Sequence, residues 1–295
     1  MELLRLIEGI RSPFLDMLFW LITSLGEETV GVIILCAVFW CISKRAAYGI
    51  GVALFLSGLT VQGMKICFRT DRPWVADPTL RPVLRATEGA SGYSFPSGHT
   101  QSATALFGSL GAQTKRKATR ALFFSLIALV AFSRLYLGVH TLLDVVASLL
   151  ISSLLVLLTV KAFDFSTVDK KRELVIALVM VLFAVAVAAV AIALESNGMV
   201  GSEYAADCLK AVGAGIGFAA GMFVERVYID FPVKAKSVPM QVLKLILGLA
   251  GILAIKEGMK LIIGVGLAAG IVRYILVLAW ITVFFPLIIK RFFTE

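Results

Sequence analysis

Charged side chains are scarce in this chain. They make up 16% of its residues against 59% hydrophobic ones, whereas a soluble globular chain carries about 25% charged residues. That scarcity excludes a soluble domain and leaves an all-α polytopic membrane protein. Cysteine is scarcer still, with four residues. Cys36, Cys41, Cys67 and Cys208 lie in or beside apolar stretches without metal-site spacing, which argues against a disulfide framework and for small buried hydrophobes. The first apolar run, near 13–25, lacks a small-residue cleavage site, so it reads as retained rather than as a signal peptide. No internal repeat or low-complexity tract interrupts the pattern. Histidine occurs only twice, at His99 and His140.

What the chain does have is a series of apolar runs, near 13–25, 29–43, 47–67, 98–113, 121–138 and 141–162, then 173–194, 208–224, 241–256 and 261–289. At ~20 residues per crossing the length allows about nine or ten spans. The expected architecture is a six-span core over 1–162, a polar cytoplasmic linker over 163–172, and three or four further spans over 173–295. The boundary rests on Lys161, Asp164, Asp169, Lys170, Lys171 and Arg172. Residues 1–12 read as an interfacial helix anchored by Arg5 and Arg11. The run 13–25 is short and carries Asp16, and 261–289 is interrupted by Gly264, Gly266 and Gly270, which suggests a broken helix or a re-entrant piece. Gly213, Gly217 and Gly221 form a small-residue face for close helix packing.

The net charge of +9 sits in Lys44-Arg45, Lys115-Arg116-Lys117 with Arg120, and Lys170-Lys171-Arg172, each between apolar runs. This is the positive-inside pattern, and it says nothing about nucleic acid. Counting crossings outward from those loops puts Arg72, the 74–96 loop and His140 on the non-cytoplasmic face. A plasma-membrane location with the site facing away from the cytoplasm is expected.

Both histidines belong to a three-part constellation: Lys65-x6-Arg72-Pro73, then Pro96-Ser97-Gly98-His99, then Ser133-Arg134-x5-His140-x3-Asp144. Three cations can hold a phosphate, and two imidazoles with a carboxylate can break a phosphate ester without metal. A helix through Lys65 and Arg72 would project both from one face, two turns apart. Ser97 can cap the helix that follows, whose free N–H groups with Gly98 form an anion site. The spacing of His140 and Asp144 lets the carboxylate accept from one ring nitrogen and leave the other free to attack.

These residues resemble the signature of the type-2 phosphatidic acid phosphatase superfamily, with every fixed position present in order over 65–144. The resemblance implies a six-helix core with a metal-independent site on the extracytoplasmic or lumenal side and a phosphohistidine mechanism. It makes His140 the nucleophile oriented by Asp144, and His99 the acid that protonates the leaving oxygen and then activates water. It assigns Lys65, Arg72, Arg134, Ser97 and Gly98 to the phosphoryl oxygens. No cofactor is implied. The partners expected are the bilayer and an amphipathic phosphorylated lipid, with no nucleic acid; the sequence leaves the oligomeric state open. Arg72-Pro73-Trp74 with the loop before Pro96 resembles glucose-6-phosphatase, and the added spans beyond 173 are similar to those of sphingosine-phosphate phosphatases, which keeps a soluble sugar phosphate open as substrate. A non-catalytic transporter or scaffold on the same fold is the remaining alternative.

Overall fold

The computed structural model describes residues 1–90, 92–163 and 165–293; Ser91, Asp164 (part of the expected boundary) and residues 294–295 lie outside the described residues. Among the described residues all regular structure is helical. The chain runs through α1 (Glu2–Glu8), α2 (Pro13–Ser24), α3 (Glu28–Ala37, widening into a π turn at Val38–Ile42) and α4 (Lys44–Phe68). Two single turns, α5 (Pro73–Ala76) and α6 (Leu84–Thr87), lead to α7 (Gly98–Gln113), α8 (Lys117–Tyr136) and α9 (Leu142–Ala162). Then come α10 (Lys170–Ser196), α11 (Ser202–Val224, with a π turn at Glu225–Ile229) and α12 (Val238–Ile263). Last are α13 (Leu267–Ala279, with a π turn at Trp280–Phe284) and α14 (Phe285–Phe292). The starts follow capping chemistry: Ser12, Ser97, Asp169 and Ser237 each accept a hydrogen bond from a first-turn amide. Outward faces are leucine-rich, with Leu150, Leu182 and Leu253 all exposed, as a hydrocarbon environment permits.

By compactness the chain divides into two units: 1–31 with 60–162, and 32–59 with 163–295. In the first, α1 is not a free interfacial helix. Leu4 and Ile7 are buried among Leu80, Ala86, Leu135 and Leu137, and Arg5 pairs with Asp77 at 2.7 Å. Asp16, the polar residue in the first apolar run, accepts from the Tyr136 hydroxyl at 2.9 Å, so its charge is not left in hydrocarbon. In the same unit α7 packs on α8 and α9, with Gly108 against Val156 and Ile127 and Gly111 against Phe123.

Seven described helices are long and apolar enough to cross a membrane, or eight if the bent pair Pro13–Ser24 and Glu28–Ile42, angled by 48°, is one span. The contact between α1 and the 69–97 loop decides how that pair is used. It puts the N-terminus on the face of the loop, while α4 carries the chain to that loop from Lys44 at its other end. An odd number of crossings must lie between, so runs 13–25 and 29–43 share one broken span. Helix α7 has 16 residues, about 24 Å at 1.5 Å each, a short crossing. Up to Ala162 the described residues thus hold three helices of spanning length, the bent pair and the shorter α7.

In the second unit the glycine stripe packs as expected. A Cβ at Gly213 would lie 2.4 Å from the Ile271 carbonyl oxygen, one at Gly217 2.8 Å from Leu278 Cβ, and one at Gly221 inside the Thr282 side chain, so α11 and α13 touch backbone to backbone. The 261–289 run is not re-entrant. Its first residues complete α12, Gly264 reverses the chain at φ 75°, and Leu267–Phe292 is one continuous apolar span. Glycine suits that stop because φ > 0 is strained for other residues.

Candidate active site

All the residues singled out by spacing lie in the first unit, at one end of α4, α7, α8 and α9. The way Lys65 and Arg72 reach the site differs from the sequence expectation. Helix α4 stops at Phe68, Arg69 turns left-handed at φ 50°, and Arg72 is extended at φ −66°, ψ 151° ahead of Pro73, as a residue before proline prefers. Lys65 and Arg72 are therefore not on one helix face. They converge through the strand of chain before Pro96: Lys65 Nζ donates to the Tyr93 carbonyl and Arg72 Nε to the Gly92 carbonyl at 3.0 Å.

Gly138, at φ 72°, ends α8, and the Val139 amide turns back to the Arg134 carbonyl at 3.2 Å. That turn sets His140 beside Arg134. A capping box then opens α9: Thr141 Oγ1 accepts from the Asp144 amide at 3.3 Å, and Asp144 Oδ2 accepts from the Thr141 amide at 2.8 Å. The same Oδ2 lies 3.3 Å from His140 Nδ1 and accepts from Ser94 Oγ at 2.6 Å. The local cap thus fixes the carboxylate that orients the ring. With Nδ1–H directed at Asp144, His140 Nε2 carries the lone pair, and Arg72 Nη1 lies 2.9 Å from it. His140 and Asp144 are both 1% exposed. Burial first, then the charges of Arg72, Arg134 and Lys65 with a contribution from His99, holds the His140 pKa well below the ordinary imidazole value. Both effects favour the neutral form of the ring.

Ser97 is fully buried. Its Oγ accepts from the Thr100 amide at 3.4 Å and the Thr100 hydroxyl at 3.0 Å, which leaves its own proton available to an oxygen. A Cβ built on Gly98 meets nothing within 4 Å, so the start of α7 borders open space. His99 is half-buried, within electrostatic reach of Arg134, Arg72 and Lys65. Arg134, 2% exposed, has a buried Nε without a hydrogen-bond partner among the described residues, a donor awaiting an acceptor. No group of three His, Cys, Asp or Glu side chains suited to a metal ion occurs among the described residues.

The structure thus brings Lys65, Arg72, Ser97, Gly98, His99, Arg134, His140 and Asp144 into one site. Sequence reasoning missed Ser94, buried against Asp144, and Thr23, which accepts from Arg134 Nη1 at 2.7 Å. Neither has a spacing to either histidine that would have marked it.

The profile of the PAP2 superfamily matches residues 46–168, and that of a PAP2 superfamily phosphatase transmembrane extension matches 209–295. Human sphingosine-1-phosphate phosphatase 2 is 27% identical over 242 residues, 78% of this chain and 57% of that protein. A probable sphingosine-1-phosphate phosphatase of Dictyostelium discoideum is 30% identical over 170 residues, 52% of this chain and 40% of that protein. The chain thus spans about half the length of these curated relatives. The crystal structure of Aquifex aeolicus LpxE aligns with a TM-score of 0.47 at 28% identity, covering 54% of this chain and 93% of that one.

Proposed function

Because the chain belongs to the PAP2 superfamily, we propose that it is an integral membrane phosphatase that hydrolyses a lipid phosphate or lipid pyrophosphate through a phosphohistidine. The observation that carries this reading is the setting of His140: Nδ1 held by Asp144, Nε2 facing Arg72, and the ring within electrostatic reach of Arg72, Arg134 and Lys65. A phosphoryl group is the ligand that such an arrangement fits.

His140 Nε2 attacks phosphorus, and the bond from phosphorus to the leaving oxygen breaks as His99 gives that oxygen a proton. Water then attacks the phosphohistidine while His99 takes its proton, and inorganic phosphate leaves with His140 neutral again. Lys65, Arg72 and Arg134, with the Ser97 hydroxyl and the Gly98 amide, stabilise charge on the equatorial oxygens in both steps. Fixed cations here take the part that Mg²⁺ plays elsewhere, so the reaction is metal-independent. The phosphatase core is 1–162; 163–172 is a cytoplasmic link and 173–295 adds further membrane helices. A site at the ends of membrane helices favours a substrate whose tail stays in the bilayer, and the relatives named for sphingosine-1-phosphate agree with that class.

Phosphate release by purified protein in detergent tests the reading. Lipid phosphates and pyrophosphates should be hydrolysed in excess EDTA and inhibited by vanadate, with hexose phosphates turned over far more slowly. Loss of activity in EDTA with restoration by a divalent ion would contradict the mechanism, and preference for the hexose ester would change the substrate class.

The positive-inside pattern supports a cytoplasmic side for Lys44, Lys115 and Lys170 and the opposite face for the site. In a cysteine-free background a membrane-impermeant thiol reagent should label Glu88→Cys in intact cells and leave Lys115→Cys unlabelled until the membrane is opened. The reverse pattern would put phosphate release in the cytoplasm.

A further inference from the structure

The broken span formed by α2 and α3 contributes to the site at its break. Thr23, in the last turn of α2, is 3% exposed, and its Oγ1 accepts from Arg134 Nη1 at 2.7 Å. Three residues on, Gly26 seats against α7: a Cβ there would lie 2.7 Å from the His99 carbonyl oxygen and 3.0 Å from His99 Cβ. The carboxylate of Glu27 adds an attractive charge toward the same guanidinium. One short stretch, 23–27, therefore braces both a cation and a histidine of the site, although none of it belongs to the three-part constellation.

We propose that Thr23 is a positioning residue that sets the Arg134 guanidinium for the phosphoryl group. The inference rests on the phosphatase reading above. An arginine carries five N–H donors in a rigid fork. Here one end of that fork is held by Thr23, while Nε is buried and has no hydrogen-bond partner among the described residues. Anchoring one corner of a planar fork fixes the direction of the rest. A threonine suits the task because its hydroxyl satisfies Nη1 as a neutral acceptor and adds no carboxylate beyond that of Glu27, so the guanidinium keeps its attraction for the phosphoryl oxygens. A carboxylate in its place would pair with Arg134 and compete with the substrate. Thr23 thus acts through Arg134 and not on the substrate itself.

Thr23→Val keeps the shape and removes the acceptor, and Thr23→Ser restores it. Vanadate affinity, measured by direct titration on folded protein, should weaken about tenfold to a hundredfold in Thr23→Val, the range for a hydrogen bond to a charged group. kcat/KM should fall by a similar factor, and Thr23→Ser should return both to within about threefold of wild type. The decisive readout is coupling: in an Arg134→Ala background, adding Thr23→Val should change vanadate affinity less than about twofold. An equal loss with and without Arg134 would mean general packing and would overturn the proposal. Wild-type affinity in Thr23→Val would do the same. Should the valine variant not elute as folded protein, Thr23→Ala in the same two backgrounds gives the same comparison. Vanadate binding separates this inference from the reading beneath it. Protein that binds vanadate in the coupled manner but hydrolyses no phosphate ester refutes the phosphatase reading alone, and protein that does neither refutes both.

Discussion

His140→Ala should abolish turnover and the covalent phosphoenzyme together. The buried ring is held in one orientation by Asp144 and the capping box of α9, which is what the proposed attack requires. Acid quenching with ³²P-labelled substrate should trap an acid-labile, base-stable adduct in the wild type and none in His140→Ala. His99→Ala should behave differently. Losing general acid–base assistance costs typically ~10²–10⁴-fold, because an alkoxide must depart unprotonated. That deficit should shrink with p-nitrophenyl phosphate, whose leaving group hardly needs a proton. Asp144→Asn should fall between the two, since an amide can still meet the ring but does not favour its cationic form. An adduct that survives in His140→Ala and vanishes in His99→Ala would exchange the two roles.

The second large effect lies in the other unit and concerns stability. Arg226, on the π turn after α11, pairs with Glu173 of α10 through Nε to Oε2 at 2.8 Å and Nη2 to Oε1 at 2.9 Å. Both side chains are almost wholly buried, 3% and 1% exposed. Arg226 also donates to the Thr167 carbonyl at 2.9 Å and lies 4.7 Å over the Tyr48 ring. Removing one member of such a pair leaves the other charge buried and uncompensated, a cost of about 3–5 kcal/mol. Arg226→Met is therefore expected to lower the unfolding midpoint in detergent markedly. Glu173→Leu added to it should recover part of the loss, because two apolar groups need no partner. A thiol-reactive fluorophore can follow the transition through Cys36 and Cys208, both fully buried in this unit, once the exposed Cys67 and the partly exposed Cys41 are replaced. A single variant as stable as the wild type would show that Arg172, 3.3 Å from Glu173, takes over the charge.

The sequence on its own determined the helical membrane class, the extents of most helices, the glycine-lined packing of α11, and the set of residues from Lys65 to Asp144 proposed as the site. Each is written in local spacing: apolar length for a crossing, serine or aspartate for a helix start, four residues for a histidine and its carboxylate. The site also rests on the cost of placing a charge in hydrocarbon, which makes Lys65 stand out wherever it folds. Only the tertiary structure decided that runs 13–25 and 29–43 share one broken span, because this follows from Arg5 meeting Asp77 seventy-two residues away. The same holds for Ser94 against Asp144, fifty residues apart, and Thr23 under Arg134, one hundred and eleven apart. A single hydrogen bond between distant elements leaves no period in the chain. Desolvation announces that a buried arginine must have a partner, but packing alone selects which hydroxyl it is.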